Sequence, residues 1–259
     1  MSTHPVTTTA LPPGRGTVND VALLARFIPL FPVDRTLALD ELAAVRRVTA
    51  PRVGWAALFL KAYALVAREM PLLRSWIVYR PHARLATSGD SVATLAINRA
   101  DSGHDRLFFA RLARPEETAL AALQASIDRH VTAPVEEVFR RQLDLEIVPG
   151  ALRRTILRWH LTSASRKRPG RIGTFSLSTL AGFRAGNHFH PTLCTTSLCY
   201  APVEADGRCR VTIIADHRVL DGATVARALE RLEQVLRGTI TTELTRQSLR
   251  PAAAPAAAA

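Results

Sequence analysis

Lysine is nearly absent. Lys61 and Lys167 are the only two, so arginine supplies 32 of the 34 basic residues. That usage, with much alanine, leucine and proline, reads as a GC-rich bacterial coding bias. Cysteine is scarce too: Cys194, Cys199 and Cys209, with no C-x-x-C pair. An odd number without paired spacing excludes a disulfide framework or a structural zinc knot, and free thiols fit a reducing cytoplasm. Long apolar runs are missing. The richest, Trp55 to Ala67, is broken by Lys61 and is too short to span a bilayer. The opening Met1-Ser2-Thr3-His4-Pro5 lacks a basic patch followed by an apolar run, so no secretory leader is expected. Aromatic residues make up only 6%. Acidic residues are outnumbered 22 to 34, giving +12.

What is present is ordinary for a globular protein. The 259 residues are 47% hydrophobic and 22% charged, enough to bury a core and too apolar for wholesale disorder. The positive balance fits a polyanionic partner such as a phosphorylated cofactor, an acidic carrier protein or nucleic acid. It equally fits a solvated surface, because the arginines are scattered. The densest basic cluster is Arg166-Lys167-Arg168, with Arg171 just beyond. Nucleic acid is disfavoured by the lack of a recognisable motif or aromatic platform.

No repeat or long linker divides the chain. The expected organisation is a loose segment over 1–18, one domain over 19–240, and a C-terminal segment over 241–259 ending in a disordered Ala/Pro tail. Prolines mark Arg26 to Leu37 as an edge strand. Leu39–Val48 reads as a short helix, and Gly54–Met70 as a strong one stopped by Pro71. Ser75–Tyr79 and Arg84–Thr87 read as a hairpin, and Ser91–Ile97 and Leu107–Leu112 as strands. A helix is expected from Pro115 to Val131, with further helices over Val135–Leu145 and Leu152–His160. Gly173–Leu177, Thr195–Pro202 and Arg208–Ala215 read as strands, and Ala223–Leu236 as an amphipathic helix. The class is α+β.

The chemistry-bearing stretch is Asp216-His217-Arg218-Val219-Leu220-Asp221-Gly222. His217 ends a strand whose buried face carries Val211, Ile213 and Ala215. A histidine held there, neutral at pH 7, is available to accept a proton. Asp221 stands where an N-cap belongs, and Gly222 permits a tight turn. On spacing alone the same residues also fit a core histidine and an ordinary cap. His188 and His190 flank Phe189 without a third ligand nearby, so no metal site is expected.

Asp-His-Arg-x-x-Asp-Gly before an amphipathic helix resembles the active-site signature of the dihydrolipoyl acyltransferases of 2-oxoacid dehydrogenase complexes. It is also similar to the His-x-x-x-Asp-Gly of chloramphenicol acetyltransferase. Gly173-Thr174-Phe175-Ser176-Leu177-Ser178, then Phe189-His190-Pro191, resembles that family's Gly-Thr-Phe-Thr-Ile-Ser and later Phe-Thr-Pro. Leu58 to Ala62, continuing through Pro71 and Trp76, resembles the helix and strand near the start of its catalytic domain. The resemblance spans roughly Arg26 to Arg237.

It implies a chloramphenicol acetyltransferase-like fold, a two-layer mixed sheet with helices packed on it. It implies an acyltransferase acting by direct transfer from a coenzyme A or carrier-protein thioester to a thiol, hydroxyl or amine. His217 matches the general base and Ser178 the oxyanion donor. Asp221 matches an aspartate paired to an arginine, for which Arg15, Arg26 and Arg35 are the candidates; Arg218 and Gly222 complete the motif. The resemblance further implies a homotrimer with active sites between subunits.

The chain departs from the family in lacking a lipoylation site and room for a lipoyl domain. Either the acceptor is a lipoyl group on another chain or it is something else, and an acidic carrier or lipoyl protein in trans is a candidate partner. Asn98-Arg99-Ala100-Asp101 and Leu193-Cys194-Thr195-Thr196 replace family segments, and the basic region 135–171 is longer than expected. That region reads as a solvated helical cover rather than a membrane surface. The alternative reading is a trimeric assembly protein that keeps the fold without catalysis.

Overall fold

The computed structural model describes His4, residues 6–101 and residues 103–249. Its spine is a six-stranded mixed sheet of order β1-β8-β7-β6-β4-β5. The strands are β1 (Leu30–Ala38), β4 (Val92–Asp101), β5 (His104–Ala113), β6 (Phe175–Leu177), β7 (Thr196–Tyr200) and β8 (Arg208–Asp216). β6 runs parallel to both β4 and β7, and the remaining pairs are antiparallel. A separate hairpin joins β2 (Ser75–Val78) to β3 (Arg84–Thr87). This is the mixed-sheet α+β architecture anticipated. β1 lies at the sheet edge, where Pro32 and its missing N–H are tolerated.

One sheet face carries the main core. Leu95, Phe175, Leu177, Leu198, Val211, Ile213 and Ala215 meet helices α3 (Trp55–Glu69), α4 (Leu120–Thr132) and α9 (Gly222–Val235). Helix α3 is buried from Ala57 to Ala67, including Lys61. The Lys61 ammonium donates to the Thr118 carbonyl (2.8 Å) and to Glu243 (2.7 Å). Glu243 belongs to α10 (Thr241–Ser248) and also accepts the Leu120 N–H at the start of α4. A buried cation is tolerated only with such partners.

The other face is polar at its centre. Thr94, Ser176 and Ser197 follow one another across β4, β6 and β7, with Cys199 two residues further along β7. It is covered by α1 (Arg15–Ala25), α6 (Arg140–Ile147), α7 (Gly150–Thr162) and the short α8 (Arg168–Ile172). α1 and α7 are tied by Asp20, which is 1% exposed and accepts from Arg153 (2.5 Å) and Arg154 (3.1 Å).

Several boundaries differ from the sequence reading. Residues 15–18, expected to be loose, begin α1, and residues 241–248 form α10 with Leu244 in the core. The helix expected from Pro115 starts at Leu120; Glu116 turns inward instead, and its carboxylate accepts the Ser91 N–H. The region 135–147 is broken into α5 (Val135–Val138) and α6. The expected Ala/Pro tail over 251–259 lies outside the described residues. Among the described residues no helix is long and apolar enough to cross a membrane.

Candidate active site

His217 stands just past β8, where its N–H donates to the Pro29 carbonyl (3.0 Å). The ring leans on Phe31, centroids 4.6 Å apart. Its Nδ1 lies 3.0 Å from the Leu220 carbonyl. A carbonyl only accepts, so Nδ1 carries the proton and donates. In the neutral ring Nε2 is then the basic nitrogen, and it has no partner among the described residues. His217 was expected to continue the buried face of β8. It is exposed instead, because the strand ends at Asp216 and the ring, beyond it, packs on Phe31 alone among the described aromatic rings. Thr212, Ile214 and Asp216, on the opposite face, are buried as well as Val211, Ile213 and Ala215.

The turn after β8 is held by Arg218. Its guanidinium grips the buried Asp216 carboxylate twice (2.9 and 2.7 Å), and its own N–H adds a third bond (3.0 Å). The pairing raises the Arg218 pKa above its ordinary value. A cavity of about 260 Å³ adjoins this pair, lined by Phe27, Trp76, Tyr79 and Arg168 among others.

Asp221 is the N-cap of α9, its carboxylate accepting the Thr224 N–H at 2.6 Å. That bond holds its carboxyl below the usual aspartate range. No arginine pairs with Asp221 among the described residues. Of the three candidates, Arg35 is bound to Glu233, and neither Arg15 nor Arg26 forms an ion pair among the described residues. Gly222 starts the helix without a positive φ, and a Cβ there would meet open space. The backbone therefore does not require a glycine at 222, contrary to the expected tight turn.

Ser178 follows β6 and is half-buried, with its N–H on the Leu198 carbonyl (3.0 Å). It borders a second cavity of about 590 Å³ between the polar sheet face and α1, α6 and α7. Ser178 and His217 do not meet within one chain. They lie two strands apart and at opposite ends of β7, about 15 Å or more between backbones.

Residues to which the sequence assigns no catalytic role line the larger cavity. His190 Nε2 contacts the Ser197 hydroxyl (2.8 Å), which contacts the Ser176 hydroxyl (2.7 Å). Burial pushes the His190 pKa down to about 4, so the ring is neutral near pH 7. Arg111 and His160 share the cavity wall. The three cysteines are free and buried, and burial raises Cys199 and Cys209 to about 12. Such thiols are poor nucleophiles at neutral pH.

No protein-family profile matches the chain, and no characterised protein matches it by sequence. Solved structures do match by shape. The catalytic core of the 2-oxoacid dehydrogenase multienzyme complex of Thermoplasma acidophilum superposes with a TM-score of 0.66 at 13% identity, over 90% of this chain and 99% of that one. Dihydrolipoamide acetyltransferase of Azotobacter vinelandii gives 0.65 at 16% identity, over 92% and 98%. A chloramphenicol acetyltransferase gives 0.50 at 12% identity, over 84% and 94%. At these identities the likeness is one of fold: the chain is built on the fold common to dihydrolipoamide acetyltransferase cores and chloramphenicol acetyltransferase.

Proposed function

We propose that this protein is an acyltransferase that moves an acyl group from a coenzyme A or carrier-protein thioester to a thiol, hydroxyl or amine acceptor. His217 is the general base. The observation that carries the reading is the state of its ring: Nδ1 is engaged by the Leu220 carbonyl, and the basic Nε2 is unclaimed on an exposed side chain. Nε2 takes the acceptor's proton as the acceptor attacks the thioester carbonyl. The carbonyl electrons move to oxygen, and the Ser178 hydroxyl donates to that oxyanion. Collapse expels the coenzyme A thiolate, which recovers the proton from the imidazolium. No covalent enzyme intermediate forms, and neither a metal nor an attached lipoyl group takes part.

Because Ser178 and His217 are far apart in one chain, the complete site takes one from each of two neighbouring subunits of a homotrimer. The shape likeness to multienzyme cores supports that arrangement. In the Azotobacter enzyme a serine, a histidine and an asparagine have been studied for their catalytic roles, the last two standing four residues apart like His217 and Asp221, which supports the choice of residues. The basic surface suits a phosphorylated donor or an acidic carrier in trans, in a cytoplasmic setting.

The test is release of free thiol from a panel of acyl thioesters, with and without free dihydrolipoamide. Replacing an acid–base group of this kind typically costs about 10²–10⁴ in rate. His217→Ala should show that loss with unchanged thermal unfolding, since the side chain is exposed. Full activity in the variant would remove His217 from the reaction.

A further inference from the structure

Arg111 lies on β5, deep beneath α1 and α7, yet it keeps accessible surface because it borders the 590 Å³ cavity. Its partners are unusual for a deep cation. One terminal nitrogen donates to the Phe109 carbonyl (3.1 Å) and the other to the Arg171 carbonyl (3.0 Å). Among the described residues its Nε–H has no partner, and no carboxylate lies within ion-pair distance. Each terminal nitrogen therefore retains a second N–H. Deep charges are normally paired, because removal from water is otherwise costly. A second polar atom among the lining residues, Nδ1 of His160 on α7, also has no partner among the described residues. Most of the remaining lining is apolar, including Val21, Leu107, Phe109, Leu145 and Leu157. At the mouth stand the exposed Arg141, Arg171 and Asp144, which leave the entrance net positive.

The volume falls in the range of small-molecule sites. We infer that this cavity binds an organic carboxylate with an apolar body, its carboxylate paired to Arg111 and its hydrocarbon part packed against Phe109 and the facing side chains of α1, α6 and α7. A guanidinium meets a single planar carboxylate with two N–H donors. The apolar walls and lone deep cation are ill suited to a multiply charged phosphate. The register places Arg111, Thr94 and Ser176 in line across β5, β4 and β6, so Ser178 is about 12 Å from Arg111 along the cavity floor. The binding does not depend on the acyl-transfer reading.

The experiment is calorimetric titration of the full-length protein with octanoate and with octanamide, which share their chain and differ in charge. Octanoate should bind at least about tenfold more tightly, the discrimination expected of one charge-assisted pair. Arg111→Gln should bring the two ligands to within about twofold of each other, whereas His217→Ala should leave both affinities unchanged. Equal affinities in the wild-type protein, no binding of either ligand, or a preference for octanoate that survives Arg111→Gln would each overturn the proposal. The wild-type comparison stands alone if Arg111→Gln does not fold. Loss of acyl transfer in His217→Ala with octanoate binding intact separates the two claims.

Discussion

At the scale of single residues, the Asp-His-Arg-x-x-Asp-Gly stretch does three separable jobs. His217 presents Nε2, Arg218 locks the turn through Asp216, and Asp221 caps α9. The cap makes a testable claim about pH. Its carboxyl is held low, chiefly by the Thr224 N–H, so the folded state favours the ionised form. The stability it contributes is complete above the ordinary aspartate range and is lost as the pH falls through the lowered folded-state value. Asp221→Ala should lower the unfolding temperature at pH 7 more than at pH 3, whereas Asp221→Asn should retain most of the stability at both. Equal destabilisation of the alanine variant at both pH values would show that the charge on the cap contributes nothing. The motif was legible because its meaning is local, a strand end followed by a helix cap. The exposure of His217 was not, since alternation along β8 says nothing of where the strand stops. Arg111 and His160 were equally hidden: each looks unremarkable in sequence, and only the packing of α7 over the sheet brings them to one cavity, where the His190 of the Phe189-His190-Pro191 segment joins them.

Among elements, α1 and α10 carry the main lesson. Their local sequence patterns are weak, and both are held by polar contacts to distant residues. Asp20 on α1 answers to Arg153 and Arg154, and Glu243 on α10 answers to Lys61. Pairs that far apart in sequence leave no periodic trace. Asp20→Ala strands the buried Arg153, and losing one partner of such a pair costs about 3–5 kcal/mol. Denaturant unfolding should register a loss of that size. A change within error of zero would mean that α1 is held by its apolar contacts alone. The strand into the cavity floor offers a second check. Gly173 has φ +101°, and a Cβ there would sit 2.2 Å from the Thr94 hydroxyl. Backbone strain of this kind costs about 1–3 kcal/mol before the clash is added. Gly173→Ala should therefore be destabilised by at least that much in the same assay. The central helices and β-strands, by contrast, were readable from their spacing: α9 buries a regular apolar stripe, and α3 is apolar and buried nearly all round.

For the whole molecule, the sheet separates a dry core from a polar, hollow face, and the two proposed catalytic groups lie too far apart on it to act within one chain. The fold class was legible through three short motifs in order, although the overall identity to similar folds is only 13–16% for two multienzyme cores. How subunits meet is not written in any local pattern, because it depends on the outer surface as a unit. The shared-site arrangement predicts a sedimentation mass of three chains. It also predicts complementation. His217→Ala and Ser178→Ala subunits, each inactive or nearly so alone, should form intact sites when mixed. With random assembly of equal amounts into cyclic trimers, roughly a quarter of the sites pair an intact base with an intact hydroxyl. The direct measurement is thiol release by co-expressed mixtures of the two variants: recovery to about a quarter of wild-type activity is the predicted result, and a mixture no more active than its parents would contradict it.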